Sequence, residues 1–337
     1  MHWGCFLLWS SVSRHPSMAS VAEAAKHPVL RRFVLRKCIV QVGGSCLALV
    51  VPDARDWIRR GDWTAERLRG GEPPYWIQIW PAATAMARHL SRVASALPDP
   101  PRSAESGPAV AAVGQPKVGW PLAGMQVLDL GCGLGVPGCV ASLFGGQVTF
   151  ADQSSDALAF ASWNALQLSG QQHLQQHLDW ARQRTRGRFD LMLLADVSYH
   201  AKHHAPLLDH VANGLAPGGV VVHSDPFRSA STKFLTELSS RLPTTQGEVV
   251  IRDGSNATRV RVVVASASPV ALQTWSRSLA SRVRELPSQP SGHPARSCQE
   301  LEGGSVRPDS RSEKGLPEHS SHGAALGSPA VRPTGEA

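Results

Sequence analysis

The sequence predicts an α/β fold: a mostly parallel sheet with helices on both faces. Three observations predict it. From Met125 onward, short apolar runs alternate with stretches of helical periodicity. A glycine-rich turn joins the first such run to the first helix behind it. The alternation ends in two β-rich runs joined by Asp253-Gly254-Ser255-Asn256, a hairpin signal that makes the last strand antiparallel to its neighbour.

The elements follow in order. Residues 31–51 alternate around a Gly43-Gly44 turn, with Phe33, Leu35, Ile39, Val40 and Val42 before it and Leu47, Leu49 and Val51 after it; this is a small hairpin. Asp53 to Gly61 reads as a short helix. Ile79 to Leu97 reads as a longer one, with Met86, Leu90, Val93 and Leu97 at helical spacing and Pro98 as its stop. Residues 98–121 are rich in proline, glycine and serine and form a loop. The predicted core strands are Gln126–Leu130, Gln147–Ala151, Leu174–Leu178, Phe189–Ala195, Gly219–Ser224, Glu248–Arg252 and Arg259–Ala265. The helices between them are Pro137–Phe144, Ser154–Leu168 with a serine cap, Ala205–Leu215 and Thr232–Leu242.

This gives a leader over 1–27, a hairpin and helices over 28–97, the loop 98–121, a core over 122–275 and a tail over 285–337. The tail holds no aromatic residue and is rich in serine, proline, glycine and mixed charge, so it is expected to be disordered. The leader has an apolar run, Trp3 to Val12, with no basic residue before it, unlike a secretory signal. An organellar transit peptide and a translation start at Met18 are the two readings of it. A cytoplasmic protein is the default.

Composition narrows the function. Hydrophobic residues make up 42% of the 337 and charged residues 18%, enough for a core. No apolar run reaches the ~20 residues of a membrane-spanning helix, so no membrane is expected. Six cysteines without a CxxC pair suggest neither a disulfide scaffold nor structural zinc. The net charge is +8, and residues 1–75 hold 11 Lys/Arg against 6 Asp/Glu. Residues 76–265 hold 15 against 13, so the core has no basic excess for nucleic acid.

The strongest motif is Val127-Leu128-Asp129-Leu130-Gly131-Cys132-Gly133-Leu134-Gly135, leaving a strand and entering a helix. Glycine there lets a ligand approach the backbone. A dinucleotide fingerprint counted from Gly131 needs its third glycine where Val136 stands, and Asp129 would repel a diphosphate. Next to a cation, Asp129 would be well placed. Asp152 ends the following strand, where an acidic residue can hold ribose hydroxyls.

This D-x-G-x-G-x-G pattern resembles motif I of the class I S-adenosylmethionine (SAM) methyltransferases. Three further segments strengthen the likeness: Asp196-Val197-Ser198-Tyr199 after the Phe189–Ala195 strand, Ile79-Trp80-Pro81-Ala82-Ala83 entering a helix, and Leu178-Asp179-Trp180. Together they resemble the seven-β-strand protein-lysine methyltransferases and their bacterial nicotinamide N-methyltransferase-like relatives, over residues 73–265 without the 98–121 loop. The resemblance implies a Rossmann-like seven-stranded sheet. It also implies that Trp80 packs near the methionine end of SAM, Gly131, Cys132 and Gly133 line it through the backbone, and Asp152 holds the ribose. Trp180 would lie beside adenine with Asp179 as an acceptor, and Ala195 would border the cofactor. Asp196 and Tyr199 would face the methyl acceptor, making them the candidate catalytic residues.

The implied reaction is methyl transfer to an amine, with a protein lysine as the first acceptor. The alternatives are a small-molecule amine and a non-catalytic SAM-binding module. The Asp196–Tyr199 turn lacks the paired prolines of nucleic-acid amino methyltransferases, so no nucleic-acid partner is expected. His200, His203 and His204 around Lys202 are expected to form a solvated helix start near the pocket rim, with no metal. Cys132 and Cys139 read as a loop and a helix residue. Asp225-Pro226-Phe227-Arg228 ends a strand at the same sheet edge, and its sequence alone assigns it no role.

Overall fold

The computed structural model describes residues 20–61, 73–96 and 122–280. The expectations for residues 1–19, 98–121 and 285–337 lie outside the described residues. Residues 20–27, assigned above to the leader, belong to the fold: helix α1 (Val21–Ala24) buries Ala24 completely.

Strands β1 (Leu35–Val42) and β2 (Ser45–Pro52) form the expected hairpin, closed at Gly43 with φ +61°. Asp53 then caps helix α2 (Ala54–Arg59), its side chain accepting from the N–H groups of Arg55 and Asp56. Helix α3 (Pro81–Ala96) follows, with Met86, Leu90 and Val93 buried at the spacing that predicted it.

The core alternates β3 (Gln126–Leu130), α4 (Val136–Leu143), β4 (Gln147–Asp152), α5 (Ser155–Ser169), β5 (Leu174–His177), β6 (Phe189–Ala195), α6 (His204–Gly214), β7 (Leu215–Asp225) and α7 (Ser229–Arg241). It ends in β8 (Thr244–Asp253), β9 (Asn256–Ala265) and α8 (Pro269–Ala280). The sheet order is β5-β4-β3-β6-β7-β9-β8, parallel from β5 to β7, with β9 antiparallel to both β7 and β8.

Strand periodicity divides the core in two. Val127, Leu191, Leu193, Val220 and Val222 face one layer, shared with α3, α4, α5 and the β1–β2 hairpin. Leu128, Met192, Leu194 and Val221 face the other, filled by Leu207, Leu208 and Val211 of α6 and Phe234 and Leu238 of α7. Burying each such side chain contributes about 1.5–3 kcal/mol. The hairpin is tied to the core by Asn164 of α5, which accepts from the N–H of Val50 at 2.9 Å and donates to its carbonyl at 3.0 Å.

The strand order reverses between β3 and β6. Open α/β sheets bind ligands at such a reversal, beyond the carboxyl ends of the strands. Gly131, Asp152, Asp196 and Asp225 all lie at those ends.

Candidate functional site

The glycine turn is shaped from both sides. Gly131 has φ +70°, and the N–H groups of Gly131 and Cys132 both donate to the Ala151 carbonyl, at 2.8 and 3.1 Å. A Cβ at Gly131 would lie 2.6 Å from Val197 Cγ1 and 2.8 Å from the Trp180 ring, so these two side chains roof the turn. At Gly133 a Cβ would meet only the backbone and Cβ of Trp76, at 3.7 Å and beyond. Trp76 is held in place by Phe33 and Phe160, with ring centroids 5.9 and 6.1 Å away.

Asp152 ties this turn to the start of α5. Its Oδ2 accepts from the Gly133 N–H at 3.0 Å and its Oδ1 from the Ser154 N–H at 2.9 Å. Burial raises its pKa, and backbone hydrogen bonds offset part of that rise. The Gln153 N–H adds a third backbone bond, so of the about four lone-pair sites of a carboxylate one remains for another donor.

Asp129 sits elsewhere. Its carboxyl is 1% exposed and accepts from the Gly138 N–H at 2.9 Å, bracing the first turn of α4 from beneath. Burial pushes its pKa up to about 8. Its place is under the turn, so the expectation that it presents a charge to a bound cation gives way to a supporting role. Cys132 and Cys139 are buried in the turn and in α4, and burial pushes both thiols up.

The opposite side is built on β6 and β7. Beyond Ala195, Asp196 adopts φ +54° and donates its N–H to the Ser224 carbonyl at 2.8 Å. Its carboxylate receives Arg228 in a two-point pair, Nε to Oδ1 at 2.6 Å and Nη2 to Oδ2 at 2.8 Å. Two residues on, Ser198 is fully buried; its Oγ lies 2.8 Å from His223 Nε2 and donates to Ser231 Oγ at 2.8 Å. His223 lies 3.9 Å from Asp225, and burial lowers its pKa to about 4, so it is neutral. Ser198, His223 and Asp225 are all 0% exposed, so this Ser-His-Asp set supports the turn and meets no substrate. Asp225 accepts from Arg261 at 3.1 and 3.2 Å and from the Arg228 N–H at 2.8 Å.

A line of rings connects the two sides. The Trp80 and Tyr75 centroids are 6.1 Å apart, and Trp80 Nε1 donates to the Tyr75 carbonyl at 2.7 Å. Tyr75 and Tyr199 are 5.4 Å apart, Tyr199 and His203 5.5 Å, and His203 and Trp180 5.3 Å. Edge-to-face contacts of this kind contribute about 0.5–1.5 kcal/mol each. The fold thus brings Trp80, Trp180 and Tyr199 into one line, with Tyr75 and His203 between them. Asp179 stands apart: it is half-buried and accepts from the Ala181 N–H at 3.0 Å, with Arg182 3.5 Å away.

The histidine group needs correction. His203 and His204 are 6% and 3% exposed, so only His200 is solvated. His204 Nε2 lies 3.0 Å from the Ser198 carbonyl, which anchors the start of α6 to the Asp196–Tyr199 turn. Trp76 has no signal in the sequence beyond its place three residues before Ile79-Trp80-Pro81, while His203 and Arg228, read above without a role in the site, stand in it. Among the described residues no group of three or more His, Cys, Asp or Glu could hold a metal. A groove of about 380 Å³ lies at the other end of the sheet, along Gln126, Gln147 and His173, away from these side chains.

Comparison with known families decides the class. The family described as "Methyltransferase domain" matches residues 84–266, more than half of the chain. The chain belongs to that family. Its domain is a class I domain with S-adenosylmethionine as cofactor. Two curated relatives are named ubiquinone biosynthesis O-methyltransferase. The one from Albidiferax ferrireducens is 33% identical over 117 residues, 34% of this chain and 46% of the relative. The one from Psychrobacter arcticus is 35% identical over 106 residues, 31% and 41% of the two chains. The chain thus spans less than half the length of these relatives. Solved structures similar to it include the Thermus thermophilus 16S rRNA N2 G1207 methyltransferase with AdoMet and guanosine (TM-score 0.44, 15% identity, 70% of this chain and 51% of that one). Another is the N-methyltransferase NodS from Bradyrhizobium japonicum with S-adenosylhomocysteine (TM-score 0.40, 16% identity, 61% and 98%).

The site's residues fit SAM. The turn carries no side chain at Gly131 or Gly133, Asp152 keeps a lone-pair site, and a line of rings runs from Trp80 to Trp180. Among the described residues no helix is long and apolar enough to cross a membrane.

Proposed function

We propose that this chain transfers a methyl group to an amine nitrogen, with a lysine ε-amine of a partner protein as the acceptor. The observation that carries this is Asp196 at the carboxyl end of β6, beside a line of rings running from Trp80 to Trp180. When bound, SAM supplies a methyl group on a positively charged sulfur. The chain's own residues do the rest. Gly131, Gly133 and Asp152 hold the cofactor's end of the site, and the rings of Tyr75, Trp80 and Tyr199 give a surface that favours a cation.

An amine attacks only after losing its proton. The Asp196 carboxylate draws the acceptor in as its ammonium and favours that charged form, so the proton passes to solvent before the nitrogen attacks, and the carboxylate orients the remaining N–H groups. Holding the nitrogen in line accounts for much of the acceleration, since fixed geometry is worth about 7–11 kcal/mol in favourable cases. The buried Ser198–His223–Ser231 set keeps Asp196 and Tyr199 in place.

A small-molecule acceptor is the second reading, and the names of the curated relatives favour it. Incubation with methyl-labelled SAM and a source-matched cell extract separates the two. Label in protein, released on hydrolysis as methyl-lysine, supports the first reading. Label confined to the small-molecule fraction replaces it with the second.

A further inference from the structure

Asp196 is not free to meet an amine. Both its oxygens are taken by Arg228, at 2.6 and 2.8 Å, and its carboxyl group is 6% exposed. The Asp196 backbone is fixed too, with φ +54° and its N–H on the Ser224 carbonyl. Arg228 is held differently. Its N–H is bound by the buried Asp225, which Arg261 clamps in turn, while its side chain is 38% exposed. The backbone of Arg228 is therefore anchored and its guanidinium borders solvent, next to the half-exposed Tyr75.

We propose that Arg228 is a placeholder for the acceptor: in the absence of acceptor its guanidinium occupies the carboxylate that the acceptor's cationic nitrogen takes over, and binding exchanges one cation for the other. This rests on the reading above that the acceptor amine uses Asp196. The exchange explains how a carboxylate can stay mostly buried without an unpaired charge, which would be costly there. It also sets specificity. An entering group must bring positive charge to displace a guanidinium, so neutral molecules of the same shape gain nothing at Asp196. The cost falls on affinity, because only the fraction of molecules with Arg228 swung away can receive the amine.

The test uses the full chain saturated with S-adenosylhomocysteine and titrated with n-butylammonium, a mimic of the lysine side-chain end. Binding is followed by tryptophan and tyrosine fluorescence, with n-butanol as the neutral counterpart. Arg228→Gln should bind n-butylammonium about three- to tenfold more tightly than the unaltered protein, and n-butanol equally. Arg228→Lys keeps the charge but loses the two-point pair, so it should fall between them. Butylammonium binding that is unchanged or weaker in both variants would make Arg228 a clamp and overturn the proposal. Asp196→Asn separates the two levels of the argument: it should lose the preference for butylammonium over butanol. A preserved preference removes Asp196 from the acceptor site, and the proposed function loses its main support.

Discussion

The two halves of the site solve the same steric problem with opposite materials. In the turn that leaves β3 for α4 the chain enters left-handed conformations on glycine, at Gly131, Gly133 and Gly135. At the ends of β6 and β7 it does so on Asp196 and Phe227, both at φ +54° and the two non-glycine residues of positive φ among those described. Glycine gives a bare backbone that a ligand can touch. A side chain in that conformation costs about 1–2 kcal/mol, and here each such side chain has strong partners that offset the cost. Asp196 has the paired Arg228, and the Phe227 ring lies 5.1 Å from both the Arg259 and the Arg261 guanidinium. The glycine half is open by lack of side chains; on the proposed reading the Asp196 half would owe its specificity to them.

The sharpest break of this comparison is a Cβ in the bare turn. Gly131→Ala should weaken S-adenosylhomocysteine binding by about 100-fold or more, because the new methyl meets Val197 and Trp180 and strains φ. Gly170→Ala has a similar φ of +72° with nothing within 4 Å of its Cβ. It should lose about 1 kcal/mol of stability and no binding. Calorimetry on both variants measures the contrast, and equal affinities would show that the roof over Gly131 yields easily.

A second effect concerns the support beneath the turn. The folded-state pKa of Asp129, about 8, lies above its unfolded value, so its contribution to stability is complete below about pH 4 and is lost as pH rises toward and through 8. Asp129→Asn keeps an acceptor for the Gly138 N–H and cannot ionise. Relative to that variant, the unaltered protein should lose stability between pH 5 and pH 8, by on the order of a few kcal/mol. Urea unfolding at the two pH values tests this; parallel curves would mean that the buried carboxyl ionises without penalty.

The smallest effect is on the acceptor side. Phe227→Ala keeps the strained backbone and loses both cation–π contacts, whereas Phe227→Gly loses the contacts but relieves the strain. The glycine variant should be the more stable of the two by about 1 kcal/mol, against the usual order of alanine over glycine. Denaturant midpoints decide it, and the ordinary order would show that the φ of Phe227 carries no strain.

The cofactor half was legible because its signals are local. Asp129 to Gly135 run from the end of β3 through one turn, and Asp152 follows one helix and one strand later, so strand, turn, helix and acid are read in a single pass. The Phe189–Ala195 and Gln126–Leu130 strands matched because uninterrupted apolar runs mark strands buried on both faces. The acceptor half depends on partners far apart in sequence. Arg228 lies 32 residues from Asp196, and Ser198 lies 25 from His223. No spacing rule reaches that far, and for the same reason the burial of His203 and His204 was not foreseen. Strand β7 starts at Leu215, not Gly219, because Phe189 of β6 pairs with it across a register shift. Helix α8 packs a stripe of Ala271, Leu272, Trp275 and Leu279 on the core, a helical spacing that stands outside the strand–helix alternation because it follows the closing hairpin.

The grip of Asn164 on Val50 bears on how the protein avoids sticking to itself. A two-stranded ribbon has two edges, and an unpaired edge is a template for another chain. Asn164 presents an amide in the geometry of a neighbouring strand's peptide and takes both backbone groups of Val50. At that point the outer edge of β2 has nothing left to offer an incoming strand. The same two bonds make the ribbon's opening and the loosening of α5 a single event, so hydrogen exchange at Val50 should report on the core's stability rather than on local fraying.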